Sequence, residues 1–325
     1  MAKVLGMGNA LVDIMTRIDD DALLEALRLP KGSMQLVDTE MSIIVSHATA
    51  HFPRTMSSGG SAANTIHGLA KLGIETAFIG SVGADEIGVF FISDLANNNI
   101  KPILNQSNTP SGIAIALVSP DGERTFATHL GAAIELSAEH LQHHLFEGFD
   151  FFYVEGYLVQ NEALLYKALE MAKSAGLIVA LDLASYNVVE VKRDFLTEIL
   201  EKYVDIVFAN EEEAKSLTGL SPHEAVNHLA KSCSIAVVKI GENGSLIRSA
   251  DEFSHVEANK AQAIDTTGAG DLYAAGFIFG LASGYPLDRC GKIGSLLAAN
   301  VIEVIGAKMD QAHWNRLTAL VEHTV

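Results

Sequence analysis

From about residue 150 onward, short continuous apolar runs alternate with stretches in which apolar residues recur at helical spacing. The apolar runs cover 150–157, 177–183, 205–210 and 235–241, and we expect helices across 161–175 and 192–202. Such runs indicate strands buried on both faces, which is typical of a parallel sheet between two helical layers. Ligands gather at the carboxyl ends of such strands. The polar residues near those ends, Glu155, Asp182 and Asn210, are therefore candidates for a site.

The first half of the chain has a different pattern. Residues 4–8 are predicted to form a buried strand, and Asp13 then interrupts an apolar run. An acid at such a position either has a partner or faces a ligand, and the alternative is an edge-strand acid that faces solvent. Residues 112–118 and 124–128 flank a Pro-Asp-Gly-Glu turn and predict a hairpin. Arg124, at the start of its second strand, is either a phosphate or substrate contact or a solvated charge.

The segment Asp265-Thr266-Thr267-Gly268-Ala269-Gly270-Asp271 stands immediately before an apolar helix. Two glycines let backbone N–H groups converge, and the helix start attracts negative charge. Asp271 places a carboxylate beside that anion site. Phosphoryl transfer to an alcohol requires both parts, because amides hold the phosphoryl oxygens and an acid receives the hydroxyl proton. The simpler interpretation is a helix cap. At a helix start, Asp271 would have a low pKa and act as a weak base.

Composition limits the classes of protein and of partner. The 325 residues are 49% hydrophobic and carry a net charge of −18, so a folded domain is expected and neither nucleic acid nor an anionic membrane is a predicted partner. Two cysteines imply no disulfide framework, and neither a signal peptide nor a membrane span is evident, so we expect a cytoplasmic protein. Three histidines at 140, 143 and 144 are expected on a helix, but nothing nearby supports a metal site there.

A second motif lies about 200 residues upstream of the first. Ser58-Gly59-Gly60-Ser61-Ala62-Ala63-Asn64-Thr65 leads into a predicted helix across 61–72. Together with residues 265–271, it resembles the two signatures of the ribokinase-like (PfkB) family of sugar and nucleoside kinases. The resemblance covers essentially the whole chain. It implies one domain, residues 1–325, with the family's three-layer α/β/α fold, a mostly parallel central sheet and a small β-sheet lid near residues 10–18, 33–57 and 108–130.

The resemblance also implies roles for individual residues. Asp271 would be the catalytic base, with Gly268, Ala269 and Gly270 as the amide cradle. The residues that would hold the acceptor are Asn9, Asp13, Gly59, Gly60, Asn64 and Glu155. Ser61 stands where ribokinase itself tends to have lysine, so the pattern is nearer to nucleoside-type members, in particular bacterial adenosine kinase-like sugar kinases. The lid would close over the acceptor, and in some members it pairs with another subunit's lid, so a homodimer through the lid is also predicted.

The cofactors implied by the family are ATP, Mg²⁺ and, for some members, K⁺. The residues that would contact ATP are Asn210, Lys239, Gly241, Gly244, Thr267 and Asn300. Asn210 and Glu213 would organise Mg²⁺ through water, although an acidic first helical turn explains them as well. Lys239 and Gly241 equally suit a plain hairpin. A K⁺ ion would lie beside Asp265, Thr267 and the loop near Gly306.

The sequence thus predicts an ATP-dependent kinase that phosphorylates a primary hydroxyl of an adenosine-like nucleoside or a sugar. The alternative within this class is a ribokinase- or fructokinase-type sugar kinase. Two hypotheses come from other classes. A dinucleotide-binding oxidoreductase would need a third glycine after Gly6 and Gly8, and a non-catalytic sugar-binding protein would not need Asp271.

Overall fold

A computed structural model describes residues 2–323 of the chain, and it contains two sheets. The strands are β1 (Lys3–Met7), β2 (Leu11–Arg17), β3 (Met34–Leu36), β4 (Arg54–Gly59), β5 (Glu75–Gly83), β6 (Ile100–Ser107), β7 (Gly112–Val118), β8 (Arg124–His129), β9 (Phe151–Glu155), β10 (Ile178–Asp182), β11 (Ile206–Asn210), β12 (Ile235–Lys239), β13 (Ser245–Ser249) and β14 (Phe253–Val256).

The helices lie mostly between these strands. They are α1 (Ala22–Ala26), α2 (Thr39–Ala48), α3 (Ser61–Lys71), α4 (Glu86–Asn97), α5 (Glu162–Ser174), α6 (Tyr186–Val191), α7 (Arg193–Lys202), α8 (Glu211–Thr218), α9 (Pro222–Leu229), α10 (Ala269–Ala282), α11 (Leu287–Val301) and α12 (Gln311–His323). None of the helices described within residues 2–323 has the length and apolar character required to cross a membrane.

The larger sheet has nine strands in the order β14-β13-β12-β11-β10-β9-β1-β5-β6. Its strands from β6 to β12 pair in parallel, and only β13 and β14 are antiparallel. Successive side chains of a strand face opposite sides. Accordingly Val4 packs into one core with α3, α10 and α11, and Leu5 packs into a second core with α5, α7 and α9. The predicted three-layer α/β/α architecture is confirmed.

The smaller sheet has the order β3-β8-β7-β2-β4. The predicted hairpin is present, because β7 and β8 are antiparallel and Val118 pairs with Arg124 at the turn. Asp13 lies on β2, the strand between β7 and β4. Asp13, on β2, and the start of β8 therefore belong to the same sheet.

One local prediction was wrong. The histidines at 140, 143 and 144 lie in two short 3₁₀ turns, Ala138–His140 and His143–Leu145, and not on one helix. No cluster of three or more His, Cys, Asp or Glu side chains suited to a metal ion occurs among residues 2–323.

The helices α3, α10 and α11 pack at unusually close range. A Cβ on Gly68 would lie 2.8 Å from the Ala275 Cβ, and a Cβ on Gly276 would lie 2.8 Å from the Ile293 carbonyl oxygen. Small residues are thus required where these helices cross, since larger ones would push the backbones apart. This packing sets the position of α10 relative to α3.

We expect Gly276→Val to lower the free energy of unfolding by about 1–3 kcal/mol, because the added side chain meets backbone atoms that cannot move aside. The measurement is chemical denaturation monitored by circular dichroism. Ala163→Val, on the exposed side of α5, is the control and should cost less than about 0.7 kcal/mol. Equal losses in the two variants would contradict the close-packing argument.

Candidate active site

A large cavity opens where the carboxyl ends of β10, β11 and β12 meet the start of α10 and the smaller sheet. Its volume is about 1150 Å³, which exceeds the range of roughly 300–1,000 Å³ usual for a single small ligand. The predicted residues that line it are Asp13, Gly60, Asn64, Asn210, Glu213, Lys239, Gly241, Gly244, Thr267, Gly268, Ala269, Gly270 and Asp271. One cavity therefore collects residues from both sequence motifs.

The turn before α10 contains Gly268, Ala269 and Gly270, the residues predicted to form an amide cradle, and the Ala269 N–H donates to the Thr266 carbonyl at 3.2 Å. Gly268 has φ of +77°, and a Cβ there would lie 2.6 Å from the Ala307 Cβ, so glycine is required on both conformational and steric grounds. Within residues 2–323, no acceptor hydrogen-bonds to the backbone N–H groups of Gly268, Gly270 or Asp271. Unpaired N–H groups at a helix start constitute an anion site.

Asp271 lies in the first turn of α10 and is held from α3. Its Oδ1 accepts a hydrogen bond from the Ser61 hydroxyl at 2.7 Å, and its Oδ2 accepts one from the Asn64 Nδ2 at 3.0 Å. Burial raises the pKa of Asp271 to about 6, although these two hydrogen bonds act in the opposite direction. The expectation of a low pKa was therefore wrong, because burial outweighs the effect of the helix start.

Asn64 and Asp13 present acceptors to the same cavity. The Asn64 Oδ1 is buried and has no hydrogen-bond partner. No donor within residues 2–323 reaches the Asp13 carboxylate. A Cβ on Gly59 would lie only 2.4 Å from this carboxylate. Gly60 has φ of +93°, so the chain can turn directly from β4 into α3. These unpaired oxygens suit a ligand that carries hydroxyl groups.

Glu155 and Asn9 do not line the cavity, contrary to the prediction. The Glu155 carboxylate is buried and accepts hydrogen bonds from the Asn9 backbone N–H at 2.9 Å, the Asn9 Nδ2 at 2.7 Å and the Ala62 N–H at 2.8 Å. Burial raises the pKa of Glu155 to about 7. Glu155 thus anchors the start of α3 to the loop after β1, and its hydrogen bonds are made within the protein.

Lys239 reaches the cradle from the end of β12. Its ammonium donates to the Asp182 Oδ2 at 3.0 Å, and a Cβ on Gly270 would lie 3.0 Å from its Nζ. The neighbouring carboxylates of Asp182 and Glu213 oppose the effect of burial, and the pKa of Lys239 is raised. Lys239 therefore places a positive charge beside the free N–H groups. Asp182, noted from sequence only as a strand-end acid, is the partner of this charge.

Asn210 and Glu213 bond to each other at the start of α8. The Glu213 backbone N–H donates to the Asn210 Oδ1, and both Glu213 oxygens accept from Asn210, all at 2.8 Å. This is a capping box. Burial raises the pKa of Glu213 to about 7, with Asp182 adding to the effect. The helix-capping alternative accounts for these contacts, and both side chains still face the cavity.

Two predicted residues lie away from the cavity. The Asn300 side chain donates to the Leu296 carbonyl within α11, and the residues of this region that line the cavity are Ser295, Ala298, Ala299 and Ile302. Asn300 does not line the cavity, whereas its neighbour Ala299, about 100° around the helix, does. Gly59 lies behind Asp13 and also does not line the cavity.

Arg124 holds the position expected for a potassium ion. Its guanidinium bonds to the Asp265 carboxylate and donates to the Thr267 hydroxyl at 3.3 Å. Asp265 is 3% exposed and also accepts from the Gly306 N–H. Arg124 is therefore not the solvated charge that its hairpin position suggested. It ties β8 of the smaller sheet to the turn before α10.

Sequence reasoning missed several residues of the site. Phe126 and Tyr157 line the cavity, and Ser61 bonds to Asp271. Phe126 follows Arg124 by two residues and so shares its face of β8, which was a usable signal. For Tyr157, within a predicted strand, no local pattern indicates a side chain that faces a ligand.

The chain is similar to known kinases along most of its length. Residues 43–313 match the family described as pfkB family carbohydrate kinase. An adenosine kinase structure from Sinorhizobium meliloti is 34% identical, with a TM-score of 0.87, and the match covers 100% of this chain and 99% of that one.

A probable sugar kinase structure from Rhizobium etli is 33% identical with a TM-score of 0.88 and the same coverage. The 5-dehydro-2-deoxygluconokinase of Bacillus subtilis is 30% identical over 270 residues, which are 75% of this chain and 80% of that protein. The relatives thus include both a nucleoside kinase and sugar kinases.

Glu155→Gln should lower the free energy of unfolding by about 1–3 kcal/mol, because the amide nitrogen would face an N–H donor and leave it unpaired. Denaturation at pH 7 gives the value. The control, Glu139→Gln, changes an exposed side chain and should shift stability by less than about 0.5 kcal/mol. If Glu155→Gln were as stable as the wild type, the assigned role of Glu155 would be wrong.

Proposed function

The chain belongs to the pfkB family of carbohydrate kinases, whose members are phosphotransferases acting on sugar or nucleoside hydroxyls. From this premise we propose that the protein transfers the γ-phosphate of ATP to the primary hydroxyl of an adenosine-like nucleoside. The observation that carries the proposal is the position of Asp271. Its carboxylate lines the same cavity as the free N–H groups of Gly268 and Gly270 and as Asn64, whose Oδ1 is unpaired.

The acceptor would lie on the side of the cavity formed by α3 and the smaller sheet. There Asp13 and the Asn64 Oδ1 accept hydrogen bonds from its hydroxyl groups, and Gly60 allows close approach. Asp271 accepts the proton of the attacking hydroxyl. A base with a pKa of about 6 is ionised at neutral pH and is stronger than an ordinary aspartate.

The phosphoryl group would lie at the start of α10. The free N–H groups of Gly268 and Gly270 stabilise the charge that its oxygens carry in the transition state, and Lys239 adds a positive charge beside them. Arg124 contributes through the turn, since it holds Asp265 and Thr267 in place. No step in this mechanism requires the polypeptide to form a covalent intermediate.

ATP and Mg²⁺ are the cofactors typical of the family. Gly241, Gly244, Thr267 and the α11 residues form the remaining wall of the cavity, which we assign to the nucleotide. Mg²⁺ binds through few protein oxygens and several waters, and it would neutralise phosphate charge here. Asn210 and Glu213 fit only water-mediated contacts to the ion, because their atoms already bond to each other. We do not include K⁺, because Arg124 supplies the charge at Asp265 and Thr267.

A nucleoside acceptor has support from the cavity itself. Its volume accommodates two ligands, and the aromatic side chains of Phe126 and Tyr157 line it. Such rings stack on a base as well as on the apolar face of a sugar. The Sinorhizobium meliloti adenosine kinase, similar over the whole chain, points the same way. The second candidate is a ribokinase- or fructokinase-type sugar kinase, favoured by the similarity to sugar kinases.

The homodimer remains part of the proposal. The smaller sheet ends at the edge strand β3, where Met34 is 58% and Leu36 is 69% exposed. Exposed apolar side chains on an edge strand are a common feature of sheets that pair with another chain. A second copy of the chain would cover them.

Asp271→Asn should lower kcat by about 10²–10⁴-fold with little change in ATP binding, because an amide cannot take up the hydroxyl proton. In the wild type, kcat should fall about tenfold per pH unit below pH 6, since protonated Asp271 is inactive. That acid limb should disappear in the variant. Asp288→Asn, an exposed change on α11, is the control. An unchanged kcat in Asp271→Asn would reject the assignment of the base.

An ADP-release assay over adenosine, other nucleosides, ribose, fructose and deoxygluconate-type sugars tests the acceptor. We expect adenosine to give the highest kcat/KM, by at least tenfold over ribose, because Phe126 and Tyr157 bind the base only in the nucleoside. Phe126→Ala should reduce that ratio. A wild-type preference for a free sugar would favour the second candidate, and acceptor-independent ADP release alone would contradict both.

A further inference from the structure

The segment Gly306–Lys308 contacts three parts of the site with three consecutive residues. The Gly306 N–H donates to the Asp265 carboxylate, and Ala307 packs against Gly268 of the cradle. Lys308 extends to the opposite side, where it reaches β4 and α4. This segment after α11 therefore joins the phosphate side of the cavity to the acceptor side.

Lys308 is buried with a specific set of partners. Its side chain is 15% exposed, its ammonium donates to the Ser58 hydroxyl, and it donates to the Asp94 Oδ2 at 3.0 Å. The same Asp94 oxygen accepts from the Ser58 backbone N–H at 2.9 Å. Burial opposes the charge of Asp94, yet Lys308 and Ser58 together lower the pKa of Asp94 to about 2. The three residues form a closed cluster.

This cluster lies behind the acceptor site. Ser58 is two residues before Gly60 and pairs with Val12 in the smaller sheet, whereas Asp13 pairs with Ser57, so the Ser58 side chain lies on the face opposite Asp13. Among residues 2–323, the charges that act on the Asp13 carboxylate are those of Lys308 and Asp271, and burial raises the pKa of Asp13 to about 7. A carboxylate without donors in a cavity would be protonated readily if the nearby cation were absent.

The other charged groups near Lys308 belong to α3 and α4. Lys71 repels its charge, whereas Asp94 and Asp13 attract it, and burial lowers its pKa. His67 is also buried, and its pKa of about 3 leaves it neutral at any working pH. Lys308 is therefore the cation that balances two acids, Asp94 on one side and Asp13 on the other.

We propose that Lys308 is a positioning residue for the acceptor: through its bonds to Ser58 and Asp94 it holds the β4 end, with Gly59 and Gly60, against Asp13, and its charge favours the ionised form of that carboxylate. An ionised carboxylate offers both oxygens as acceptors to the hydroxyl groups of a ligand, whereas protonation turns one of them into a donor. The role of Asp13 rests on the proposed function, whereas the electrostatic link between Lys308 and Asp13 does not. Each can therefore be tested separately.

The first test measures the Asp13 carboxyl directly, by ¹³C NMR titration of protein labelled at aspartate Cγ, with the resonance identified by its loss in Asp13→Asn. Lys308→Met should raise the pKa of Asp13 by about one unit or more, and Lys308→Arg should leave it close to the wild-type value. Asp94→Asn should lower it, because Lys308 loses its competing partner while the amide oxygen still accepts from Ser58. If the role of Lys308 were purely structural, the pKa of Asp13 would not shift in opposite directions in Lys308→Met and Asp94→Asn.

The second test is the KM of the best acceptor in the panel, measured from pH 5.5 to 8.5. At pH 7, Lys308→Met should raise this KM about tenfold and move its acid limb to higher pH, with kcat changed less than threefold. Lys292→Met, an exposed change on α11, is the control. Glu155 and Glu213 are present in every variant, so differences between variants do not arise from their titration.

The results separate the two proposals. If the pKa of Asp13 is unchanged in Asp94→Asn and Lys308→Met, or shifts in the same direction in both, the role of Lys308 is overturned, whatever the enzyme phosphorylates. If Lys308→Met does not fold, Asp94→Asn and Lys308→Arg decide the question. If the Asp13 shifts are as expected but no acceptor is phosphorylated by the wild type, the proposed function fails and the electrostatic link stands.

Discussion

The site depends on the contact between α3 and α10, because two side chains from the start of α3 hold the Asp271 carboxylate in the first turn of α10. Ser61 and Asn64 reach Asp271 only because the helices cross at close range, which Gly68 permits. Burial of such a carboxylate without hydrogen bonds would cost several kcal/mol. The same contact therefore offsets that cost and orients the Asp271 oxygens towards the cavity.

Four acids around the cavity have pKa values shifted towards the neutral form, but they differ in their hydrogen-bond partners. Glu155 and Glu213 bond to backbone and side-chain donors of their own fold, and burial raises the pKa of each to about 7. Asp271 has two donors, and Asp13 has none within residues 2–323. Only acids with free acceptor capacity can take hydrogen bonds from a ligand. Glu155 and Glu213, at 1% and 3% exposure, are enclosed by the fold, whereas Asp13 and Asp271 stay partly exposed to the cavity.

Local patterns predicted most of the architecture, and they failed where contacts are distant. Continuous apolar runs correctly indicated the parallel strands, and the turn residues 120–123 correctly indicated the hairpin. The pattern did not show that Glu155 pairs with Asn9, which is 146 residues away, or that Arg124 pairs with Asp265 across 141 residues. Periodicity indicates which face of an element is buried, but it does not indicate which other element packs against that face.

By itself, then, the sequence determined the order of strands and helices, the glycine turn before α10 and the placement of Asp271 in its first turn, because backbone conformation and helix polarity are local properties. Tertiary structure decided which of the candidate acids face the cavity, that a guanidinium stands at Asp265 and that Lys308 lies behind Asp13. Those outcomes depend on burial and on charges brought together from distant segments, and the free energy of a buried charge is set by its surroundings in space.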